Sequence, residues 1–392
     1  MALNVTLSER DDNIELAGKS DSALGFISPE TYFHLQVIQL WTSTAMTGAG
    51  LITNAFNIFA FFCLGLNDPV STSLFVLSLA DFCSFLFVTF LCVFQILTVY
   101  VETSTWSFNP FLLSLYVYRY NHIFYTMSLV TNMFIAVARC CCVSKALQFR
   151  HFFTLRRTHQ GLVIMFAVSL AVSLPTIVTQ EVRWLYLNNG NNVTSSARLL
   201  ILPKQGHRQA LDFHNIFNLS IFHHTCVFIT FICLSSLVRT LKKMSKFRHQ
   251  NSSSLTSTSR PSIKLAVKSS GTALRCDNTQ TVTPGPTGKH TGSALNSKEL
   301  QVVKLVSVLT AIFVSSRLVI IVIATMHQIF PEFGSGKRYH NLYYTCFSLG
   351  SIYSYGSAAA NSIVYYKFNT KYRLFVLQQF CSGVQDDKAF IN

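Results

Sequence analysis

Long stretches without a charged residue constrain this chain more than any other feature. Five blocks lack Asp, Glu, Lys and Arg altogether: 35–66, 121–138, 158–180, 213–238 and 339–366. Two more blocks hold one charge each, Asp81 in 70–101 and Arg317 in 305–329. A hydrocarbon core about 30 Å thick needs roughly 20 helical residues, and every block supplies them once the third begins near Phe111. The pattern predicts an all-α membrane protein, a bundle of seven transmembrane helices.

The charged residues predict how the chain is oriented. Only 12% of residues are charged, against about a quarter in a soluble domain, and the net charge is +15. With the N-terminus outside, most Lys and Arg fall on inner loops, which is the usual bias of membrane proteins. The basic excess is therefore explained by an inner membrane face, and nucleic acid is not needed as a partner. We expect a multi-pass plasma membrane protein that contacts membrane lipids.

The composition between the blocks predicts the remaining organisation. Residues 1–34 are expected to form an extracellular tail, 35–366 the bundle, and 367–392 a surface helix with a cytoplasmic tail. The Ser-, Thr-, Gly- and Pro-rich stretch within 245–298 is expected to be a disordered inner loop. We expect the spans at about these positions: 35–64, 71–100, 111–143, 160–180, 212–241, 299–330 and 339–366.

The outer loop after the fourth block predicts a β-hairpin, with strands over 182–187 and 197–202. Asn4 and Asn192 begin Asn-x-Ser/Thr sequences on the predicted outer side, so both are candidate glycosylation sites. Cys381 follows an amphipathic segment and is a candidate palmitoylation site, although an ordinary membrane-proximal thiol explains it equally well. No cysteine falls in the predicted outer loops, so we expect no disulfide framework there.

Polar residues inside the spans are the first candidates for function. Charges in a membrane are costly and usually face the bundle interior with a partner, so Asp81 and Arg317 are expected to pair with each other. Other polar residues that could converge on them are Asn54, Ser128, Ser357 and Asn361.

Short motifs at the ends of several spans resemble those of the rhodopsin-type G protein-coupled receptors. The matching segments are Gly50-Leu-Ile-Thr-Asn54, Leu77-Ser-Leu-Ala-Asp81, Ala138-Arg139-Cys140, Pro175, Asn361-Ser-Ile-Val-Tyr365 and Lys371-Tyr-Arg-Leu-Phe375. The last of these implies a short amphipathic eighth helix. Their order and spacing, more than any one motif, carry the resemblance, which looks most like divergent invertebrate receptors of chemosensory or orphan type.

Several family positions are altered in this chain. Ala138 stands where the family has an acid beside Arg139, and Arg317 stands where the sixth span would carry tryptophan. The cysteine expected at the start of the third span is absent, with Ser114 nearest to it, and so is its partner in the outer loop. The fifth span also lacks the family's tyrosine.

The resemblance implies specific roles for residues of this chain. Arg139, Asn361 and Tyr365 would serve activation and coupling to a heterotrimeric G protein. Positions facing an outer ligand cavity by alignment are Gln95, Asn121, His122, Tyr125, His327, Ser351 and Tyr355. Asn54, Asp81, Ser128, Arg317 and Ser357 would form an intramembrane polar core, and family members bind sodium at the positions of Asp81, Ser128, Ser357 and Asn361. We expect the guanidinium of Arg317 to replace that sodium beside Asp81. The alternative is that Arg317 extends into a water-filled ligand cavity.

The sequence therefore predicts a receptor for an extracellular ligand of unknown type, and not an enzyme. It indicates no cofactor and no metal site. Two alternatives remain open at this stage. One is a receptor-like binding protein that has lost G protein signalling, made credible by Ala138 and Arg317. The other is a membrane enzyme or channel, which no paired carboxylates, histidine cluster or phosphate loop supports.

Overall fold

A computed structural model describes residues 26–101, 106–144, 153–187, 196–256 and 297–380 of the chain. Its first four helices are α1 (Pro29–Leu64), α2 (Pro69–Tyr100), α3 (Pro110–Ser144) and α4 (Leu155–Val178). Helix α5 is continuous through three stretches, α-helical His207–Phe213, π-helical His214–Phe222 and α-helical His223–Thr256. Helix α6 is Ser297–Ile329, α7 is His340–Ala359 followed by Asn361–Phe368, and α8 is Thr370–Phe380.

The helix starts follow local capping chemistry. Asp68 precedes α2, and its carboxylate accepts hydrogen bonds from the backbone N–H groups of Val70 and Ser71, each at 3.0 Å. Ser28 caps α1 in the same way through Thr31. Both helices have proline at their first position, where its missing N–H costs nothing. The cap at Asp68 fixes where α2 begins. The inner and outer ends of the bundle are named by the orientation that the sequence predicts.

Six segments of the described residues are long and apolar enough to cross a membrane: α1, α2, α3, α4, α5 over His207–Lys243, and α6 over Gln301–Ile329. Helix α7 packs beside α1 and α6 but is rich in Ser, Tyr and Gly. It breaks at Ala360, one residue before Asn361. Two of its polar side chains, Ser357 and Asn361, hydrogen-bond with neighbouring helices.

The predicted outer hairpin is confirmed. Strands β1 (Gln180–Leu187) and β2 (Ser196–Pro203) pair antiparallel, with Gln180 opposite Pro203. The backbone N–H of Leu199 donates to the carbonyl of Ser107 at 2.8 Å, and Phe108 forms a bridge with the same strand. The hairpin is thus tied to the start of α3 by backbone hydrogen bonds.

The inner half of the bundle has the densest apolar packing. Phe61 and Leu74 meet the fully buried rings of Tyr365 and Tyr372, which brings α1, α2, α7 and α8 together. Farther out, a Cβ added at Gly50 would lie 2.6 Å from the Phe85 ring, so only glycine permits this approach of α1 to α2.

The inner end of α5 differs from expectation. The helix runs to Thr256, well into the stretch 245–298 that we expected to be disordered. No glycine or proline lies between Arg239 and Thr256, so nothing in the sequence ends the helix earlier. The rest of that loop, 257–296, and the candidate modification sites Asn4, Asn192 and Cys381 lie outside the described residues.

Candidate functional site

Asp81 joins three helices at the centre of the bundle. Its side chain is buried on α2, where one carboxylate oxygen accepts a hydrogen bond from the Ser128 hydroxyl at 2.5 Å. The other oxygen accepts from the Asn361 amide at 3.3 Å. The motif residues Asp81 and Asn361, far apart in sequence, therefore meet through one carboxylate that ties α2 to α3 and α7.

A second polar node lies nearer the inner end, and sequence reasoning missed it. The Oδ1 of Asn57 on α1 accepts from the Tyr372 hydroxyl at 2.7 Å and from the Ser362 hydroxyl at 2.9 Å. Its amide donates to Asn54, whose own amide donates to the carbonyl of Gly50. Asn57 is one helical turn from Asn54, and that spacing on an apolar helix was the available signal.

Tyr372 keeps its proton under physiological conditions. Burial raises the pKa of this α8 phenol to about 12, which preserves the donor to Asn57. The node therefore fastens α8 to α1 and α7.

Arg317 does not pair with Asp81, so the predicted ion pair is wrong. No nitrogen of Arg317 comes within 4.0 Å of a carboxylate oxygen of Asp81. The guanidinium donates instead to the hydroxyl of Tyr125, and its carbon lies 4.4 Å from the centre of that ring. Tyr125 lies three residues before Ser128 on α3, which is about 4.5 Å farther out along the helix axis. Arg317 therefore contacts α3 farther out than Asp81 does.

Arg317 belongs to an outer cluster of aromatic and imidazole side chains, which we define as Tyr125, Arg317, His223, His122 and His214. The His223 ring stacks on Tyr125 with centroids 5.8 Å apart, and the His122 and His214 rings meet edge to face at 4.5 Å. Arg317, His214 and His223 are each 5% exposed or less. The outer cluster thus joins α3, α5 and α6.

The π-helical stretch explains why both α5 histidines take part. His214 and His223 are nine residues apart, and at about 100° per residue a regular α-helix would place them on opposite faces. A π-helix turns less per residue because its bonds run from i to i+5, so both side chains can face α3. Sequence reasoning that assumed a regular helix had no means of finding this pair.

Of the other predicted ligand-site residues, Asn121 and Tyr355 both interact with the side chain of Tyr118, whereas Ser351 and His327 lie apart from them. Asn121 is buried and accepts from Ser84 at 2.6 Å, while Tyr355 lies edge to face on Phe85. Ser351 donates only to the carbonyl of Phe347 in its own helix. His327 is exposed at the outer end of α6. 

His327, at the end of α6, contacts the outer loop that follows the helix. Its Nδ1 lies 2.6 Å from the carbonyl of Phe333, so the ring is not brought to the outer cluster. Gln95 is half-buried on α2. Ser357, expected at Asp81, donates instead to Ser316 at 3.1 Å and to the carbonyl of Ser354.

The inner end of the bundle holds the remaining predicted residues. Arg139 and Ala138 line a cavity of about 220 Å³ together with Phe134, Phe153 and Thr158. Among the described residues Arg139 has no ion pair with a carboxylate. Tyr365 is completely buried between Phe61 and Tyr372, with ring centroids 5.2 and 5.7 Å away. Arg139 is therefore adjacent to an open inner cavity, whereas Tyr365 is part of the packed core.

No group of three or more His, Cys, Asp or Glu side chains in the described ranges could hold a metal ion. The rings of His214 and His223 pack against His122 and Tyr125 in the outer cluster. The arrangement offers hydrogen-bond donors and aromatic faces, with no constellation for covalent chemistry.

These features define a class of protein: a bundle of seven membrane helices with a polar centre and a short helix at its inner edge. The family model of the 7 transmembrane receptor (rhodopsin family) matches residues 57–365, well over half of the chain. The chain belongs to that family. It is a multi-pass membrane receptor of seven helices and not an enzyme, as the sequence predicted. No individual curated protein matches it in sequence.

Proposed function

We propose that this receptor binds a chemosensory ligand from outside the plasma membrane, between the outer halves of α3, α5 and α6, and activates a heterotrimeric G protein at its inner end. The observation that carries the proposal is the Asp81 carboxylate, which joins α2, α3 and α7 through Ser128 and Asn361. It lies between the outer cluster and the cavity at Arg139. A ligand that moves α3 would therefore act on a helix that this carboxylate connects to α2 and α7.

The inner end supports a high resting activity. Family members restrain the third-span arginine with a neighbouring acid, and Ala138 removes that acid here. A restraint worth about 1 kcal/mol changes a two-state population about fivefold. We therefore propose that Arg139 is available to the G protein without ligand.

The test is basal G protein nucleotide exchange by the purified receptor with Ala138→Asp. We expect this variant to lower the basal rate about fivefold, because the new carboxylate would pair with Arg139. Ala138→Asn is the matched control, of the same size without the charge, and should leave the rate near that of the native chain. An Asp variant as active as the Asn variant would contradict the proposed restraint.

The alternative function is a receptor-like protein that binds ligand without signalling. The missing fifth-span tyrosine and the lost acid at Ala138 favour it, since both act on Arg139 in the family. If neither the native chain nor Arg139→Gln differs from empty membranes in nucleotide exchange, the binding function alone remains.

The orientation and modifications are part of the same proposal. We place residues 1–34 outside and 367–392 inside, with the spans and bundle limits stated above, glycans on Asn4 and Asn192, and a palmitoyl group on Cys381. Epitope tags at the two ends should be accessible from opposite sides of intact cells. Glycosidase should increase gel mobility in the native chain and leave the Asn4→Gln, Asn192→Gln double variant unchanged.

A further inference from the structure

Arg317 is a buried charge without an acidic partner. Its side chain is 5% exposed, and it is the only Lys or Arg among the buried residues of the described chain. Its contacts are the Tyr125 hydroxyl and the aromatic rings of Tyr125 and Phe313, and its Nε has no hydrogen-bond partner. A guanidinium keeps its charge in any protein environment, so burial does not neutralise it.

The groups beside Arg317 add donors, and no acid forms an ion pair with it among the described residues. His223 is 4% exposed, stacks on the same Tyr125 ring, and its Nε2 has no partner. The Nε2 of His214 is likewise buried and without a partner. Asp81 is the only buried acid in the described residues; it interacts with Arg317 through space but forms no ion pair with it, and its oxygens accept from Ser128 and Asn361.

Positive charge also surrounds the entrance to this region. Arg119, on the outer part of α3, interacts electrostatically with both His122 and His214. Farther out, the described chain presents Lys204, Arg208, Lys337 and Arg338 at the outer helix ends and loops. An anion approaching from outside would be attracted along this path.

We propose that Arg317, with Tyr125 and His223, binds the carboxylate of a small organic acid, which is the ligand class of this receptor. The planar guanidinium matches a carboxylate through paired N–H donors, and the free Nε supplies one of them. The imidazole of His223 can donate its remaining N–H to the same group. The bound carboxylate would form the ion pair with Arg317 that no side chain of the described residues forms. The inference rests on the proposed receptor function, whose extracellular ligand it specifies.

The first experiment needs no natural ligand. The purified full-length receptor is melted in detergent with formate, acetate, butyrate and hexanoate, and separately with the matching primary amides. We expect the acids, and not the amides, to raise the melting temperature. Arg317→Gln should abolish the difference, and Arg317→Lys, which keeps the charge and loses the planar fork, should reduce apparent acid affinity roughly 10-fold to 100-fold.

Lys243→Gln is the matched control, since it removes an exposed base near the inner end of α5, away from the outer cluster and from the basic residues at the entrance. Its acid-dependent shift should equal that of the native chain. Equal shifts for acids and amides in the native receptor, or shifts that survive Arg317→Gln, would overturn the proposal.

A second measurement remains informative if the chosen acids bind weakly. Without any added anion, Arg317→Gln should melt at a higher temperature than the native receptor, because it removes an uncompensated buried charge. A lower melting temperature, with the variant otherwise folded, would mean that the protein already satisfies Arg317 and would overturn the site. Loss of nucleotide exchange with acid-dependent melting retained would instead refute the signalling function and leave the acid site standing.

Discussion

The two polar regions of this bundle are built on opposite rules. The two oxygens of Asp81 and the Oδ1 of Asn57 each accept from a different helix, and the donors are Ser128, Asn361, Ser362 and Tyr372. In the outer cluster, donors outnumber acceptors, and Arg317, His214 and His223 each keep a buried nitrogen without a partner. In the first region the polar groups hydrogen-bond with one another and hold helices together. In the second region, buried nitrogens remain free to bind a ligand.

The largest effect is expected from breaking the satisfied region at Asp81. Asp81→Leu leaves the Ser128 hydroxyl and the Asn361 amide without their shared acceptor, which should cost about 2–4 kcal/mol of unfolding free energy. Asp81→Asn keeps one acceptor oxygen and should cost clearly less. Thermal and denaturant melting of the purified variants would measure both, and equal losses would show that the carboxylate acts as bulk only.

A smaller effect is expected at Asn57. Asn57→Ala removes the acceptor of Tyr372 and Ser362 and should cost about 1–3 kcal/mol. Ser362→Ala is the matched comparison, since Asn57 then still accepts from Tyr372, and it should cost less than about 1 kcal/mol. If the serine variant is the less stable of the two, Asn57 is not the centre of the node.

The separation of the two regions can be tested by a double-mutant cycle. Asp81→Asn and Arg317→Gln should couple by less than about 1 kcal/mol, because the two side chains make no direct contact and interact only through space. A directly bonded buried pair would lose about 3–5 kcal/mol when one partner is removed, and much of that loss would be recovered in the double variant. A coupling energy of several kcal/mol would show that Asp81 and Arg317 belong to one interacting region.

The smallest effect is expected from the exposed pair on β1. The Arg183 Nε donates to Glu181 at 2.7 Å, and this contact holds the pKa of the Glu181 carboxyl below its usual range. Its contribution is therefore present above the ordinary pKa of glutamate and disappears as the pH falls through the lowered value. Both groups are in solvent, so Glu181→Gln should leave the melting temperature unchanged at neutral pH. A measurable drop would mean that the hairpin is more tightly integrated than its exposure indicates.

The same contrast shows what the sequence could predict. Asp81, Ser128 and Asn361 were predicted because a lone acid in an apolar span stands out, and polar residues at helical spacing point to its neighbours. The placement of Arg317 could not be obtained in this way. Two charges in one bundle suggest a pair, but their relative height depends on how α6 is positioned against α3.

The outer cluster was harder still to predict. His122 and Tyr125 were included through their alignment, whereas His214 and His223 were not among the predicted site residues. The departure from regular geometry in α5 has no motif in the sequence, so no periodicity analysis could reveal it. The outer hairpin succeeded for the opposite reason, since its alternation and turn residues are local signals.

The π-helical turns between His214 and Phe222 also set the direction in which the later side chains of α5 point. If the same nine residues closed into ordinary α-helix, His214 and His223 would lie on opposite faces of α5, so the inner part of the helix would rotate by roughly half a turn against the outer part. A different side chain would then lie on Tyr125. The π-helical stretch therefore determines which face of α5 packs against α3 in the receptor interior.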